Sequence, residues 1–174
     1  MLSPLGYSLA VGAIVIQRLV ELSLSSSHAK KLTQKGAYEI GEKNYLTMKI
    51  LHTLFFCALV GEGFWHFAPP EKNLIILGLV MIFLGQALRL YSMAILGERW
   101  TTKVFVVPGH PPIQRGLYSF FNHPNYLGVV LELWALPMLG GLWWTAGFFL
   151  LANFYVLRQR VSLEHKALAL SEKP

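Results

Sequence analysis

The amino-acid sequence predicts an all-α, polytopic membrane protein with about five transmembrane helices, the last two joined as a helical hairpin. Three observations predict it. Of 174 residues, 54% are hydrophobic and only 14% are charged, whereas a soluble domain carries about 25% charge. The mean hydropathy is +0.46. The apolar residues are also gathered into long runs separated by polar stretches. This balance argues against disorder, collagen, coiled coil and a soluble enzyme with a polar shell. The single cysteine, Cys57, excludes a disulfide framework and a cysteine-based zinc site. No His/Glu spacing typical of zinc occurs, so no metal is expected. The net charge of +6 is spread between apolar runs rather than gathered with aromatics into a basic patch, so no nucleic-acid partner is expected.

The first run, Leu5 to Leu24, has the ~20 residues a helix needs to cross a hydrocarbon core. It lacks the basic start and small-residue exit of a cleaved leader and is read as a span. Arg18 and Glu21 form an i,i+3 pair that suits a helix end meeting water. The second run, Leu46 to Ala68, and the third, Leu74 to Leu96, are also of spanning length. Pro69-Pro70 and the prolines between Pro108 and Pro112 fall between spans, where no helical hydrogen bond is lost. The last block, Tyr126 to Leu157, has 32 residues, short of the ~40 that two full spans need. Its break at Leu139-Gly140-Gly141-Leu142 reads as the turn of a hairpin.

Lys and Arg fall on one side of this topology. Lys30, Lys31, Lys35 and Lys43 follow the first span; Arg99, Lys103 and Arg115 follow the third; Arg158, Arg160, Lys166 and Lys173 follow the hairpin. The other side shows only Lys72. The bias places the N-terminus outside and the C-terminus in the cytosol. The chain divides into a three-helix membrane part, residues 1–95, and a part that carries the chemistry, residues 96–174.

Two polar segments stand out on the cation-rich side. Residues 97–125 are rich in Trp, Tyr, Phe, His and Arg, and long ordered loops are uncommon unless functional. The second, residues 158–166, follows the hairpin. A hairpin returns to its starting face, so His123 to Tyr126 must lie near Arg158 to Glu164. Each residue also has a structural reading. His123 could cap its helix, Pro124 suits a first helical turn, and Trp134, Trp143 and Trp144 suit a membrane interface. Arg158 suits an anchor, and Arg160 with Glu164 suits an i,i+4 ion pair. Glu132, about two turns into a membrane helix, is costly unless paired or protonated; Glu62 is a weaker case. His52 and His66 read as core or interfacial.

The run Gly116-Leu-Tyr118-Ser-Phe-Phe-Asn122-His123-Pro124-Asn125-Tyr126-Leu-Gly128 resembles the G-x-Y-x-x-x-R-H-P-x-Y-x-G signature of the isoprenylcysteine carboxyl methyltransferase family. Arg160-Val-Ser-Leu-Glu164-His165-Lys-Ala-Leu168 resembles that family's R-I-x-x-E-E-x-x-L motif. Leu96 to Thr101 and His110 fit its lead-in. Near the N-terminus, Arg18-Leu-Val-Glu21-Leu and Gly36-Ala-Tyr-Glu39 are similar to a bacterial subgroup that includes alkylpyrone O-methyltransferases. Two positions depart: Asn122 stands where the family has Arg, and His165 where it has a second Glu. Both departures weaken the match to the eukaryotic-type substrate, a prenylated C-terminal cysteine carboxylate.

The resemblance implies an S-adenosylmethionine-dependent O-methyltransferase without a Rossmann domain. The acceptor it implies is lipophilic and arrives from the bilayer. It implies Arg160 and Glu164 as catalytic residues. The cofactor-binding residues are His110, Tyr118, His123, Asn125, Tyr126, Arg160 and Glu164; Arg115, Glu132 and Trp100 meet the acceptor. The same H-P-N-Y-x-G segment is similar to NADPH-dependent sterol-type reductases, although the stretch from Leu168 to Pro174 has no K-Y-G-x-x-W tail. A small transporter or scaffold, with Glu62 and Glu132 as intramembrane polar sites, leaves the His-Pro-Asn-Tyr run unexplained.

Overall fold

The structure is a computed structural model and describes residues 2–171; the predicted cation Lys173 lies outside the described residues. Five helices follow in order: α1 (Pro4–Gln34), α2 (Glu42–His66), α3 (Lys72–Leu96), α4 (Pro124–Gly140) and α5 (Trp143–Ser171). Helices α1, α2 and α3 are long and apolar enough to cross a membrane, and each closes its backbone hydrogen bonds within itself, as hydrocarbon requires. Their large apolar side chains point outward: Leu9, Ile16, Val60, Phe64 and Phe83 are all more than 60% exposed. That pattern suits lipid rather than water. The chain is an all-α integral membrane protein.

The hairpin forms where the glycine pair predicts it. Gly141 has φ +70 and ends α4, and α5 begins two residues later. Its 17 residues make α4 about 25 Å long at 1.5 Å per residue. The turn reaches the α2–α3 connection, where Ala68 N donates to Gly140 O at 3.0 Å. The turn of the hairpin therefore lies level with the α2–α3 connection. Glu62, costly on sequence grounds, accepts from the backbone N–H groups of Trp144 and Thr145 (3.2 and 2.7 Å) and so caps the start of α5. We call this the turn end of the bundle and the opposite end the loop end.

Helix α3 packs most intimately on α4. A Cβ on Gly128 would stand 2.7 Å from Gly85 O and 2.9 Å from Arg89 Cγ, so only glycine lets the two backbones meet, as small residues do between membrane helices. Around this contact a core forms from Tyr7, Phe55, Leu59, Leu136, Leu139 and Phe149.

The loop end holds what the apolar pattern does not reveal. Helix α1 continues ten residues past the predicted span, and two three-residue strands, β1 (Tyr38–Ile40) and β2 (Val104–Val106), pair antiparallel with Tyr38 opposite Val106. The segment after α3 is thereby clamped from both sides. Toward α1, Ser25 Oγ accepts from Thr102 N at 2.9 Å, His28 Nδ1 donates to Trp100 O at 2.8 Å, and Lys31 and Lys35 pair with Glu98. The two lysines hold that exposed carboxyl down at about 2. Toward α5, Val107 N donates to Ser171 Oγ at 2.9 Å and Gly109 N to Ser171 O at 2.9 Å.

Replacing Gly128 with Ala is expected to lower stability by about 1–3 kcal/mol through overpacking. Gly12→Ala, with no atom within 4 Å of the added Cβ, is expected to cost nothing. Thermal unfolding in detergent checks the pair; equal melting of both variants and the wild type would contradict the packing.

Candidate active site

The return of α5 brings Arg160 and Glu164 beside the start of α4. Arg160 lies one helical turn before Glu164, and both face α4. Arg160 Nε donates to Tyr126 OH and to Glu164 Oε1, each at 3.1 Å. Tyr126 OH donates to the same Glu164 oxygen. His123 Nδ1 stands 3.4 Å from the other oxygen, Oε2. Glu164 is thus the point where three side chains meet. His123 precedes α4 but makes no side-chain capping bond. Its ring instead stacks on Tyr126 at 5.3 Å between centroids, with His165 at 5.6 Å.

Burial opposes the charge on Glu164, yet contact with His123 and the Arg160 guanidinium outweigh it and hold the carboxyl below its usual range. Burial likewise opposes charge on Arg160, and Tyr126 and Glu164 reverse the balance, so its pKa is raised. Burial pushes the Tyr118 hydroxyl up.

A cavity of about 710 Å³ opens from this cluster into the bundle, within the range of small-molecule sites, about 300–1,000 Å³. Its loop-end walls include Trp100, Tyr118, His123, Asn125, Tyr126, Arg160, Glu164 and His165. Deeper, α1 and α2 supply Ile14, Val15, Phe55 and Phe56. Several buried polar atoms of lining residues have no partner among the described residues: His123 Nε2, Asn125 Oδ1 and Asn153 Nδ2. Arg160 Nη groups make no hydrogen bond to described residues. Buried polar atoms are normally satisfied, so this wall is fitted to a polar ligand. With its carboxylate, amino, ribose and cationic groups, S-adenosylmethionine matches that set of donors, acceptors and aromatic faces.

Most predicted site residues converge here; two do not. His110 is exposed and donates from Nδ1 to Pro108 O at 2.9 Å. Arg115 is exposed and donates to Ile95 O at 3.0 Å. Both extended loop positions spend their polar atoms on backbone carbonyls, outside the cavity lining. Trp100 does line it, 3% exposed. Glu132 lines it too, but paired to Arg18, which also binds Glu21; Arg89 joins Glu21. The expected helix-end pair at Arg18 and Glu21 is therefore part of a buried cluster: Glu21 is only 3% exposed. His52, which the sequence suggests is core or interfacial, is in the lining, as is Asn153, which no motif marks. Asn153 had a signal, since 153, 160 and 164 share one face of α5.

Fold and site define a helical membrane protein with an internal chamber for a polar ligand, reached where the hairpin closes. The chain belongs to the isoprenylcysteine carboxyl methyltransferase (ICMT) family, whose sequence profile matches residues 76–170, from α3 to near the end of α5. It is a membrane methyltransferase of a family that uses S-adenosylmethionine as methyl donor. It is 32% identical over 161 residues to the uncharacterized protein YpbQ of Bacillus subtilis (strain 168), covering 92% of this chain and 95% of that one. It is 28% identical over 168 residues to an uncharacterized protein of Haemophilus influenzae, covering 93% and 94%. No solved structure matches the chain.

Because the folded Glu164 carboxyl holds its proton more weakly than the unfolded one, its stabilising contribution is present above the unfolded value of 4.5 and is lost as pH falls through the folded value. Glu164→Gln is expected to cost about 1.5–3 kcal/mol at pH 7, as for hydrogen bonds to a charged group. Melting curves of wild type and variant are expected to converge as the buffer is taken below that value; a gap independent of pH would contradict the assignment.

Proposed function

We propose that this protein is an S-adenosylmethionine-dependent O-methyltransferase that modifies a carboxylate or acidic hydroxyl on a lipophilic acceptor, isoprenylcysteine-like or alkylpyrone-like. The observation that carries this reading is the single chamber joining the His123–Tyr126–Arg160–Glu164 cluster to apolar walls from α1 and α2. A polar donor fits one end and a lipid chain the other.

The cofactor supplies a methyl group activated on a sulfonium. The chain's own residues bind and orient. Arg160, with its Nη groups open, holds a carboxylate by charge-assisted hydrogen bonds, and His123 adds a donor. Glu164 fixes Arg160 and Tyr126 and accepts from an amino group or hydroxyl. Asn125 offers its unpartnered oxygen. The faces of Tyr126, Tyr118 and Trp100 favour a cation by about 0.5–2 kcal/mol. The apolar walls hold the acceptor and exclude water, and such placement supplies several kcal/mol of a barrier.

The loop end faces the cytosol in this reading, with the N-terminus outside. Among the described residues, the cations from Lys30 to Lys43, from Arg99 to Arg115 and from Arg158 to Lys166 lie at that end, against Lys72 alone near the turn end. The donor then enters from the cytosol and the acceptor from the bilayer.

Calorimetry on detergent-purified protein is expected to show micromolar binding of S-adenosylhomocysteine and no heat with NADPH. His123→Ala and Glu164→Ala are expected to abolish that binding while the protein still inserts. Wild-type affinity in both variants, or binding of NADPH alone, would contradict the reading.

A further inference from the structure

Four charged side chains meet inside the bundle, away from the Glu164 cluster. Arg18 and Glu21 come from α1, Arg89 from α3 and Glu132 from α4. Arg18 donates to both Glu21 and Glu132, and Arg89 donates to Glu21. Two cations and two anions cancel, which makes such a group tolerable at a depth where a lone charge is not.

The cancellation is incomplete in one respect. Glu132 Oε1 stands 3.8 Å from Arg89 Nε, and neither atom has a hydrogen-bond partner. Glu132 and Arg89 are each 6% exposed, so water does not satisfy them. All four residues line the same cavity as Arg160, with His52 from α2 and Asn153 from α5 completing the polar wall. A group serving only to tie helices together would close its hydrogen bonds; this one leaves a carboxylate oxygen unpartnered among the described residues, on a residue that lines the chamber. Glu132 lies six residues beyond Tyr126, about 9 Å along α4 at 1.5 Å per residue, which places it next to the cofactor end rather than inside it.

We propose that Glu132 is a catalytic base within the membrane, that Arg18 is the counter-ion of the anion it generates, and that the acceptor is a lipid acid arriving protonated. This rests on the methyltransferase reading for the fate of the anion. A lipid crossing hydrocarbon travels in its neutral form, because the ionised form is expensive there. An enol, phenol or carboxylic acid reaching the chamber therefore brings its proton. The acceptor O–H bond breaks and an Oε1–H bond forms on Glu132. Arg18, released from a now neutral partner, pairs with the acceptor oxyanion. The proton transfer itself leaves the net charge of the site unchanged; once methylation has consumed the acceptor anion, the positive charge left on Arg18 is balanced again only when Glu132 releases its proton. Once the neutral product leaves, Glu132 gives its proton to water through the loop end and regains Arg18.

The test uses a nitrophenol carrying one alkyl chain, whose colour reports its ionisation, added to the full chain in lipid nanodiscs well below the probe's own pKa. The wild type is expected to bind it and develop the phenolate band. Glu132→Gln and the charge-balanced double variant Arg18→Gln/Glu132→Gln are expected to show only neutral phenol. Methyl transfer to membrane lipid by Glu132→Gln is expected to fall by about 100-fold or more, the scale of a lost general base. Calorimetry with S-adenosylhomocysteine on the same samples verifies that each variant is folded. A wild type that leaves the probe neutral or unbound, or a Glu132→Gln protein that still ionises it, overturns the proposal. A wild type that fails to bind S-adenosylhomocysteine overturns the methyltransferase reading instead, so the two failures are distinct.

Discussion

The site depends on one carboxylate shared by three side chains. Glu164 takes the Tyr126 hydroxyl and the Arg160 Nε on one oxygen and faces His123 with the other. Two of these partners stand at the start of α4, and Arg160 stands on α5, so the contact closes the open end of the hairpin. Separate these helices and the cavity loses its polar wall. A buried guanidinium is tolerable only with its counter-charge in place, and here the counter-charge also holds the tyrosine and orients the imidazole. The same contact that stabilises the fold thus preorganises the groups that meet a ligand.

Around that junction the membrane dictates the rest. Hydrocarbon demands closed backbone hydrogen bonds and an apolar exterior, which the outward faces of α1, α2 and α3 provide. It also makes each internal charge conspicuous. The chain meets this demand in three ways: Glu62 serves the backbone of α5, Arg18, Glu21, Arg89 and Glu132 neutralise one another, and Glu164 is matched by Arg160. The first two join segments far apart in sequence, 114 residues for Arg18 and Glu132; the Arg160–Glu164 pair lies within α5 and is tied to α4 by Tyr126. Polar contacts therefore set the arrangement of helices whose apolar surfaces would pack in many ways.

Much of this was legible from residues alone. Run lengths locate the spans, and Gly140-Gly141 marks the hairpin turn. Topology alone requires His123 and Tyr126 to meet Arg160 and Glu164, because a hairpin must return to its own face. Family motifs then name the same residues. Other features left no readable trace. An i,i+3 pair such as Arg18–Glu21 looks the same at a wet helix end as in a buried cluster, since its partners on α3 and α4 are invisible to local spacing. Three-residue strands are too short for an alternating pattern, so β1 and β2 leave no mark in the sequence. His110 and Arg115 have suitable chemistry, but loop conformation turns them to nearby carbonyls, and motif matching carries no information on that.

The central claim is that the methyl donor lies between the start of α4 and the second half of α5. Photo-crosslinking measures this directly: an azido-adenine analogue of S-adenosylmethionine is irradiated with the protein in membranes, and labelled peptides are mapped by mass spectrometry. The account predicts label within residues 99–126 or 153–168, displaced by excess S-adenosylhomocysteine. Displaceable label confined to α1 and α2, or label that the competitor does not displace, would contradict it.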